Sequence, residues 1–264
     1  MPRLMLVVAV VAGVVALAGC GGGGDSSGPA RYTYLSADNL SPGAILRVDG
    51  AAERTVLTRP TDRLTGFVLG GPTVTAPALP PDWCYFCDAL DGRTICRADS
   101  TIVYTHSTFL RDLAVGHDGA LYFSESHGGG ADGKIYRFDA AGVAHLYYTV
   151  ALAQVGFFAG GFGFSPDGTL YISNGNINGA GLWRCPVGGG APTKVFGRTD
   201  NGSVAGFYFS DNSTVLFTDY TNKLRRATVG GGTVQTAFTT VFTSPSPATT
   251  YSDVVQSATL YPTP

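Results

Sequence analysis

The chain has 264 residues, of which 44% are hydrophobic and only 14% are charged. Thirty-seven glycines and fifteen prolines make it rich in turn-forming residues, a composition typical of short strands joined by tight turns. The formal net charge is −2, and neither sign is clustered along the chain. A nucleic-acid-binding protein needs a basic patch or stripe, so we expect no nucleic acid partner.

The N-terminal segment has the pattern of a secretion signal. A basic residue, Arg3, precedes the uncharged apolar run Leu4–Leu17, which is too short to span a membrane comfortably. The run ends in Leu-Ala-Gly-Cys20, which resembles the lipobox of bacterial lipoproteins, where the cysteine is acylated and becomes the mature N-terminus. This resemblance implies a signal peptide over residues 1–19 and a lipid on Cys20 that makes the membrane a partner.

The resemblance also implies a location in the bacterial cell envelope, outside the cytoplasm. Gly21 follows the cysteine where some Gram-negative sorting rules read an acidic residue as inner-membrane retention, so the outer membrane is favoured in a Gram-negative host. The segment Gly21–Ala30 is too polar and glycine-rich to form a core. We therefore expect residues 20–31 to be a lipidated tether and residues 32–264 to form one domain.

A short motif recurs through this domain: an aliphatic residue, any residue, then arginine, at intervals of 40–50 residues. Several strands per repeat at this period are typical of a β-propeller, which is an all-β fold of four-stranded antiparallel blades. The five copies predict five blades, with six as the alternative. We expect the arginines to be structural, pairing with carboxylates or covering aromatic rings. They are Arg47, Arg97, Arg137, Arg184 and Arg226.

The order of the predicted strands indicates how the ring closes. The chain begins with a second strand at Thr33–Leu35 and ends with an inner strand at Asp253–Val255, so the two termini complete one blade and leave no sheet edge exposed. The segment Ala258–Pro264 has the pattern of one more second strand, which cannot share that blade with Thr33–Leu35. The last outer strand is predicted at Thr236–Phe238.

The repeats resemble those of a known superfamily. The segment Leu216–Ala227 (LFTDYTNKLRRA) resembles the YWTD and NHL repeats, in which an aromatic-Thr-Asp strand end precedes the strand that carries the arginine. Tyr85–Asp99 and Leu121–Arg137 are similar. The resemblance covers most of residues 31–257 and implies a propeller of the type that is usually six-bladed. This superfamily also contains Ca²⁺-dependent lactonases of the SMP-30/gluconolactonase type.

Polar residues at matching positions of the repeats are the candidate ligand or metal site. Carboxylate and amide groups end four second strands and therefore come to one face of a ring, and two more acids precede inner strands and approach the same mouth. Converging oxygen atoms can hold Ca²⁺, which takes about six to eight of them. The strand-end residues are Asp88, Glu125, Asn174 and Asp219, and the residues before inner strands are Asp112 and Asp253.

The lactonase pattern is incomplete. The early acidic L-G-E-x-P segment has no counterpart, and Gly160-Gly161 stands where those enzymes carry Asn-Gly. Neither a G-x-S-x-G elbow nor an H-E-x-x-H motif occurs, so no catalytic residue is identified. We therefore interpret the protein as a monomeric module that binds a small molecule or a protein, with a Ca²⁺-dependent lactone or ester hydrolase as the alternative.

The cysteines of the domain predict one disulfide. Asp91-Gly92 is typical of a two-residue hairpin turn, which would place Cys87 opposite Cys96 on neighbouring strands. Outside the cytoplasm such a pair is expected to be oxidised. Cys84 and Cys185 are then left as free, buried thiols.

Overall fold

The structure is a computed structural model that describes residues 31–37, 43–59, 64–70, 84–88, 92–125, 132–151, 155, 161–174, 180–200, 202–230 and 232–257. Within these ranges twenty strands form five antiparallel sheets of four strands each. The prediction of a five-bladed β-propeller is therefore confirmed. Among the residues that the structure describes, no helix is long and apolar enough to cross a membrane.

Each strand is short and bounded by turn residues, as the sequence predicts. In chain order they are β1 (Tyr32–Ala37), β2 (Gly43–Asp49), β3 (Ala52–Arg59), β4 (Leu64–Leu69), β5 (Cys84–Asp88), β6 (Thr94–Arg97), β7 (Ile102–Thr105), β8 (Leu110–Val115), β9 (Leu121–Glu125), β10 (Gly133–Phe138), β11 (Ala144–Val150), β12 (Phe162–Phe164), β13 (Leu170–Asn174), β14 (Gly181–Arg184), β15 (Thr193–Gly197), β16 (Phe207–Phe209), β17 (Thr214–Thr218), β18 (Lys223–Thr228), β19 (Phe238–Thr243) and β20 (Tyr251–Ser257). The last outer strand, β19, thus begins where the predicted strand Thr236–Phe238 ends.

The ring closes between the two ends of the chain. The first blade has the order β20-β1-β2-β3, so the C-terminal strand is its innermost member. Leu35 of β1 pairs with Val254 of β20 in antiparallel register. The predicted closure is therefore confirmed, while the segment Ala258–Pro264 lies outside the described residues. The other blades are β4–β7, β8–β11, β12–β15 and β16–β19, numbered two to five.

The hydrophobic core lies between neighbouring blades. The five inner strands contact one another in the ring order β20, β4, β8, β12, β16. Tyr122 and Phe162 belong to a cluster that joins blades three and four, and Leu182 and Phe207 belong to one that joins blades four and five. Each fully buried aromatic side chain contributes about 1.5–3 kcal/mol, so packing between blades holds the ring together.

The propeller has two faces. At the first, which we call the mouth face, the inner strands begin and the second strands end, for instance at Glu125 and Asn174. At the second, which we call the turn face, hairpin turns such as 116–120 and 165–169 join inner to second strands. The turns between third and outer strands, such as 139–143, also lie on the turn face.

The expected disulfide is not formed, because the register of the hairpin differs by one residue. Cys87 pairs with Ile95, and Cys96 pairs with Phe86. The connection spans residues 89–93, and Gly92 N–H donates to the Asp88 carbonyl at 3.0 Å. Since a shift of one residue reverses the face of every side chain, Cys87 packs towards blade three and Cys96 towards blade one.

The cysteines of the domain are therefore reduced in the folded protein. Cys84, Cys87, Cys96 and Cys185 are all buried, and none of them belongs to a disulfide. Burial raises the pKa of the Cys87 thiol well above its usual value, which keeps it protonated and unreactive. The expectation of free thiols at Cys84 and Cys185 is confirmed.

We predict that the acylated protein, purified without reductant, has four titratable thiols in denaturant and slow thiol reaction when folded. The physical reason is that Cys87 and Cys96 lie on opposite faces of their blade and cannot approach to bonding distance. An Ellman titration measures the count, and Cys185→Ser should lower it by one. Two thiols instead of four would show that the disulfide forms.

Candidate functional site

One equivalent position of each blade lies near the axis of the propeller. It comes directly before a large apolar residue of the inner strand, and only aspartate or glycine occurs there. In blades one to five the residues are Asp253, Gly66, Asp112, Gly161 and Gly206. A Cβ atom at Gly66 would overlap Asp112, and one at Gly206 would overlap Asp253. Gly66 and Gly206 therefore leave the space that the two carboxyl groups fill.

Both carboxyl groups bind backbone amides of two blades. In Asp112, Oδ1 accepts from the Leu113 amide at 2.8 Å and Oδ2 accepts from the Phe162 amide of blade four at 3.1 Å. The second acid, Asp253, makes the equivalent contacts with Val254 at 2.7 Å and with Phe67 of blade two at 3.2 Å. The acids thus satisfy donors that point into the axis and link neighbouring inner strands.

The two acids also act on each other. Both are almost completely buried, and they lie close enough for each to affect the ionisation of the other. Burial raises the pKa of Asp112 to about 7. For Asp253, burial and then the charge of Asp112 raise the pKa well above its usual range. Because like charges cannot both ionise in so small a space, the pair holds at least one proton at neutral pH.

A cavity of about 220 Å³ lies on the turn-face side of this pair. The ends of all five inner strands line it, with Asp112 and Asp253 at its closed end. Most of the residues that line it are apolar or aromatic, as at Phe164 and Phe209. Tyr208 and Val255 are only half-buried, so the cavity opens at the turn face. A small ligand that enters it reaches the acid pair.

On the mouth-face side the axis is closed. Arg111 donates to the Tyr220 hydroxyl and lies over its ring, 5.6 Å from the centroid. The space between these groups and Asp112 is only about 10 Å³. Tyr220 adopts a φ of 56°, in the left-handed region that is costly for a large side chain. Arg111 and Tyr220 thus plug the channel above the acid pair.

The predicted strand-end residues lie on the mouth face, but the structure engages three of them between blades. Glu125 Oε1 contacts His106 Nε2 at 2.7 Å and accepts from the Tyr136 hydroxyl at 2.9 Å. His106 follows the outer strand of the preceding blade, so this contact ties blade two to blade three. Burial and then Glu125 raise the pKa of Tyr136 to about 12, so Tyr136 remains a donor.

Asp219 and Asn174 follow the same plan. Asp219 Oδ2 accepts from Arg198 at 2.9 Å and from Arg225 at 3.2 Å, and Arg198 follows the outer strand of blade four. The Asn174 amide donates to the carbonyl of Val155, which follows the outer strand of blade three. Asp88 ends β5, and its carbonyl accepts from Gly92.

The predicted residues therefore divide into two groups. Asp112 and Asp253 lie within inner strands rather than before them, and they meet at the axis. Glu125, Asn174 and Asp219 make separate contacts between blades. In the part of the chain that the structure describes, no group of three or more His, Cys, Asp or Glu side chains is arranged to hold a metal ion.

Several repeat arginines have acidic neighbours on the turn face. Arg47 binds both oxygens of Asp49 at 2.8 Å, and Arg137 Nε donates to Asp118 at 2.7 Å. Arg97 lies 3.9 Å from Asp99. These ion pairs cap turns between strands, the structural role that the repeat predicts.

Sequence reasoning missed the three axial glycines and the Arg111–Tyr220 plug. Alignment of the five inner strands on their apolar residues would have revealed the alternation of aspartate and glycine. The plug had no such signal, because Arg111 and Tyr220 are 109 residues apart.

We predict that the pH dependence of unfolding changes in Asp112→Asn. Because its folded pKa is raised, Asp112 favours the native state below the unfolded value of about 3.9 and loses this contribution as pH rises to about 7. Asp253, Arg111 and Cys87 are the other titratable groups that act on it. From pH 5 to pH 8 the wild type should therefore lose about 1–3 kcal/mol more than the variant.

Urea unfolding at the two pH values measures this difference. Asp99→Asn is the matched control, since Asp99 is exposed on a turn and should leave the wild-type dependence unchanged. Equal pH dependence in wild type and Asp112→Asn would show that the axial pair is already ionised at pH 5.

The comparisons with known proteins concern the fold. No family model matches the sequence, and neither does any curated protein sequence. Solved structures do match: a gluconolactonase from Xanthomonas campestris is 17% identical with a TM-score of 0.52, over 85% of this chain and 79% of its own. A second, gluconolactonase-like protein is 14% identical with a TM-score of 0.51, over 86% of this chain and 84% of its own. The chain thus has the β-propeller fold of gluconolactonase-like proteins, here with five blades.

Proposed function

We propose that this protein is a lipid-anchored, extracytoplasmic β-propeller that binds a small ligand in its axial cavity. The observation that supports this most directly is the cavity of about 220 Å³ that opens at the turn face and ends at a buried pair of acids. Small-molecule sites are typically concave and mostly apolar, with a few polar groups that fix orientation. Most residues that line the axial cavity are apolar, and the acid pair supplies polar groups at its closed end.

The lining defines the chemistry of the ligand. Aromatic and aliphatic side chains, including Phe164, Phe209 and Val255, favour an apolar body. At the closed end Asp112 and Asp253 together hold at least one proton, so they can both donate and accept. A ligand with one apolar part and one hydrogen-bonding head matches this arrangement.

The alternative, a Ca²⁺-dependent lactone or ester hydrolase, has less support. Such an enzyme needs oxygen ligands that converge on one ion. Glu125 and Asp219 instead contact His106 and Arg198, each from a neighbouring blade. The Xanthomonas campestris neighbour is described as a gluconolactonase, but at 17% identity the likeness extends only to the fold.

We predict that compounds with an apolar body and a polar head raise the melting temperature of the protein, and that Val255→Phe abolishes this effect. The larger ring would fill the cavity that Val255 lines. Differential scanning fluorimetry with a library of such compounds measures the shift, which should grow with ligand concentration. Val241→Phe is the matched control, because Val241 lies on the outer strand β19 and is 42% exposed.

Compounds that stabilise Val255→Phe as well as the wild type would place their site outside the cavity and contradict the proposal. The hydrolase would be favoured by a different result: stabilisation by Ca²⁺ that is lost in Glu125→Gln or Asp219→Asn, together with hydrolysis of a lactone.

The lipid anchor rests on the segment that ends in Cys20, which lies outside the described residues. We predict that the wild-type protein incorporates an alkyne-labelled fatty acid during growth and that Cys20→Ala does not, because acylation needs the thiol. In-gel detection of the label measures this. Cys185→Ala, which removes a buried thiol of the domain, should keep the label. Equal labelling of Cys20→Ala and the wild type would rule out this anchor.

A further inference from the structure

We propose that the turn face is a membrane-contacting surface that lies against the bilayer to which the protein is anchored. This inference rests on the proposed lipid anchor at Cys20. It is carried by three observations: where the chain enters the propeller, how long the preceding segment is, and where exposed apolar side chains occur.

The chain enters the propeller at the turn face. Tyr32, the first residue of β1, pairs with Ser257, the last residue of the inner strand β20. Just before it, Arg31 Nη1 donates to the hydroxyl of Tyr208 at 2.9 Å. Tyr208 lines the axial cavity near its opening. The tether and the cavity therefore share one face.

The preceding segment is short relative to the domain. Arg31 lies eleven positions after Cys20. A flexible chain of this length has a root-mean-square extent of about 17–20 Å and a maximum of about 36–40 Å. A six-residue strand is about 20 Å long, so the mouth face would come near the bilayer only with the tether almost fully extended around the domain. The turn face is within its ordinary reach.

The same face carries exposed apolar side chains. Ile102 begins the outer strand β7 at the turn face and is 59% exposed. Val143 and Val187 lie in turns between third and outer strands and are also exposed. Exposed apolar surface on a folded protein can mark a contact with a partner or a membrane.

Two of these residues occupy corresponding turns of consecutive blades. Val143 and Val187 each lie between the third and the outer strand, in blades three and four. Val187 is 97% exposed at the tip of its turn, and Val143 is 51% exposed. Two valines at the rim of one face can enter the interfacial region of a bilayer together.

Three basic side chains of this face pair with acids of the same face. Arg47 and Arg54 both pair with Asp49, and Arg137 pairs with Asp118. These three charges are thus partly neutralised by their own neighbours. The partner that fits is a lipid surface held by apolar contact and the anchor, and the axial cavity then opens toward the bilayer.

The experiment uses the full-length acylated protein in phosphatidylcholine vesicles that contain a nitroxide-labelled lipid. Val187→Cys and Phe109→Cys each receive an environment-sensitive fluorophore, the four native thiols of the domain being buried. Phe109 is the matched control, since it is 55% exposed in the loop that leads into β8 at the mouth face. We expect at least twofold stronger quenching at position 187 than at position 109.

The outcomes separate this inference from the proposed function. Protein that floats with the vesicles but shows equal quenching at both positions, or more at position 109, is anchored without this orientation, and the inference is overturned. Protein that does not float with the vesicles lacks the anchor, which overturns that part of the proposed function and this inference with it. Ligand binding in the cavity is measured separately and would be unaffected by either result.

Discussion

The structure depends on two carboxyl groups that accept hydrogen bonds from backbone amides at the centre of the ring. Five inner strands converge on the axis, and amides such as those of Phe67 and Phe162 would be buried there without partners. Asp253 and Asp112 accept hydrogen bonds from them at 3.2 and 3.1 Å. An unpaired buried amide costs about 1–3 kcal/mol, so each aspartate stabilises the ring by completing a hydrogen bond between neighbouring inner strands. Glycine at positions 66 and 206 is the steric condition for this arrangement.

The same pair of acids separates a closed part of the axis from an open part. Above it, Arg111 and Tyr220 close the axis at the mouth face, and below it the cavity opens at the turn face. The strand-end residue Glu125 binds a partner from a neighbouring blade and so helps to hold the ring together. The axial cavity therefore opens on the face opposite to the one where the strand-end residues lie. A propeller can in this way use similar polar positions for stability on one face and leave the other for binding.

The turn face combines three properties that the chain places there for separate reasons. The N-terminal tether joins the domain beside Tyr208 because β1 begins next to the end of β20. The cavity opens there because the inner strands end in apolar residues such as Val255. The valine turns lie there because each third strand runs toward that face. An anchored protein with this geometry presents its binding cavity to the membrane side.

The sequence by itself determined the fold class and the way in which the ring closes, and it favoured five blades over the alternative of six. These follow from local periodicity: strands alternate with glycine-rich turns, and each repeat carries its own arginine. It did not determine the register of β5 and β6, because a five-residue connection in place of a two-residue turn moves Cys87 away from Cys96. It identified Asp112 and Asp253 as candidate residues, but it did not show that they meet at the axis. Nor did it show that Glu125 contacts a residue of the preceding blade. Those contacts join side chains from different blades, and only the packing of the closed ring decides which of them come within hydrogen-bonding distance.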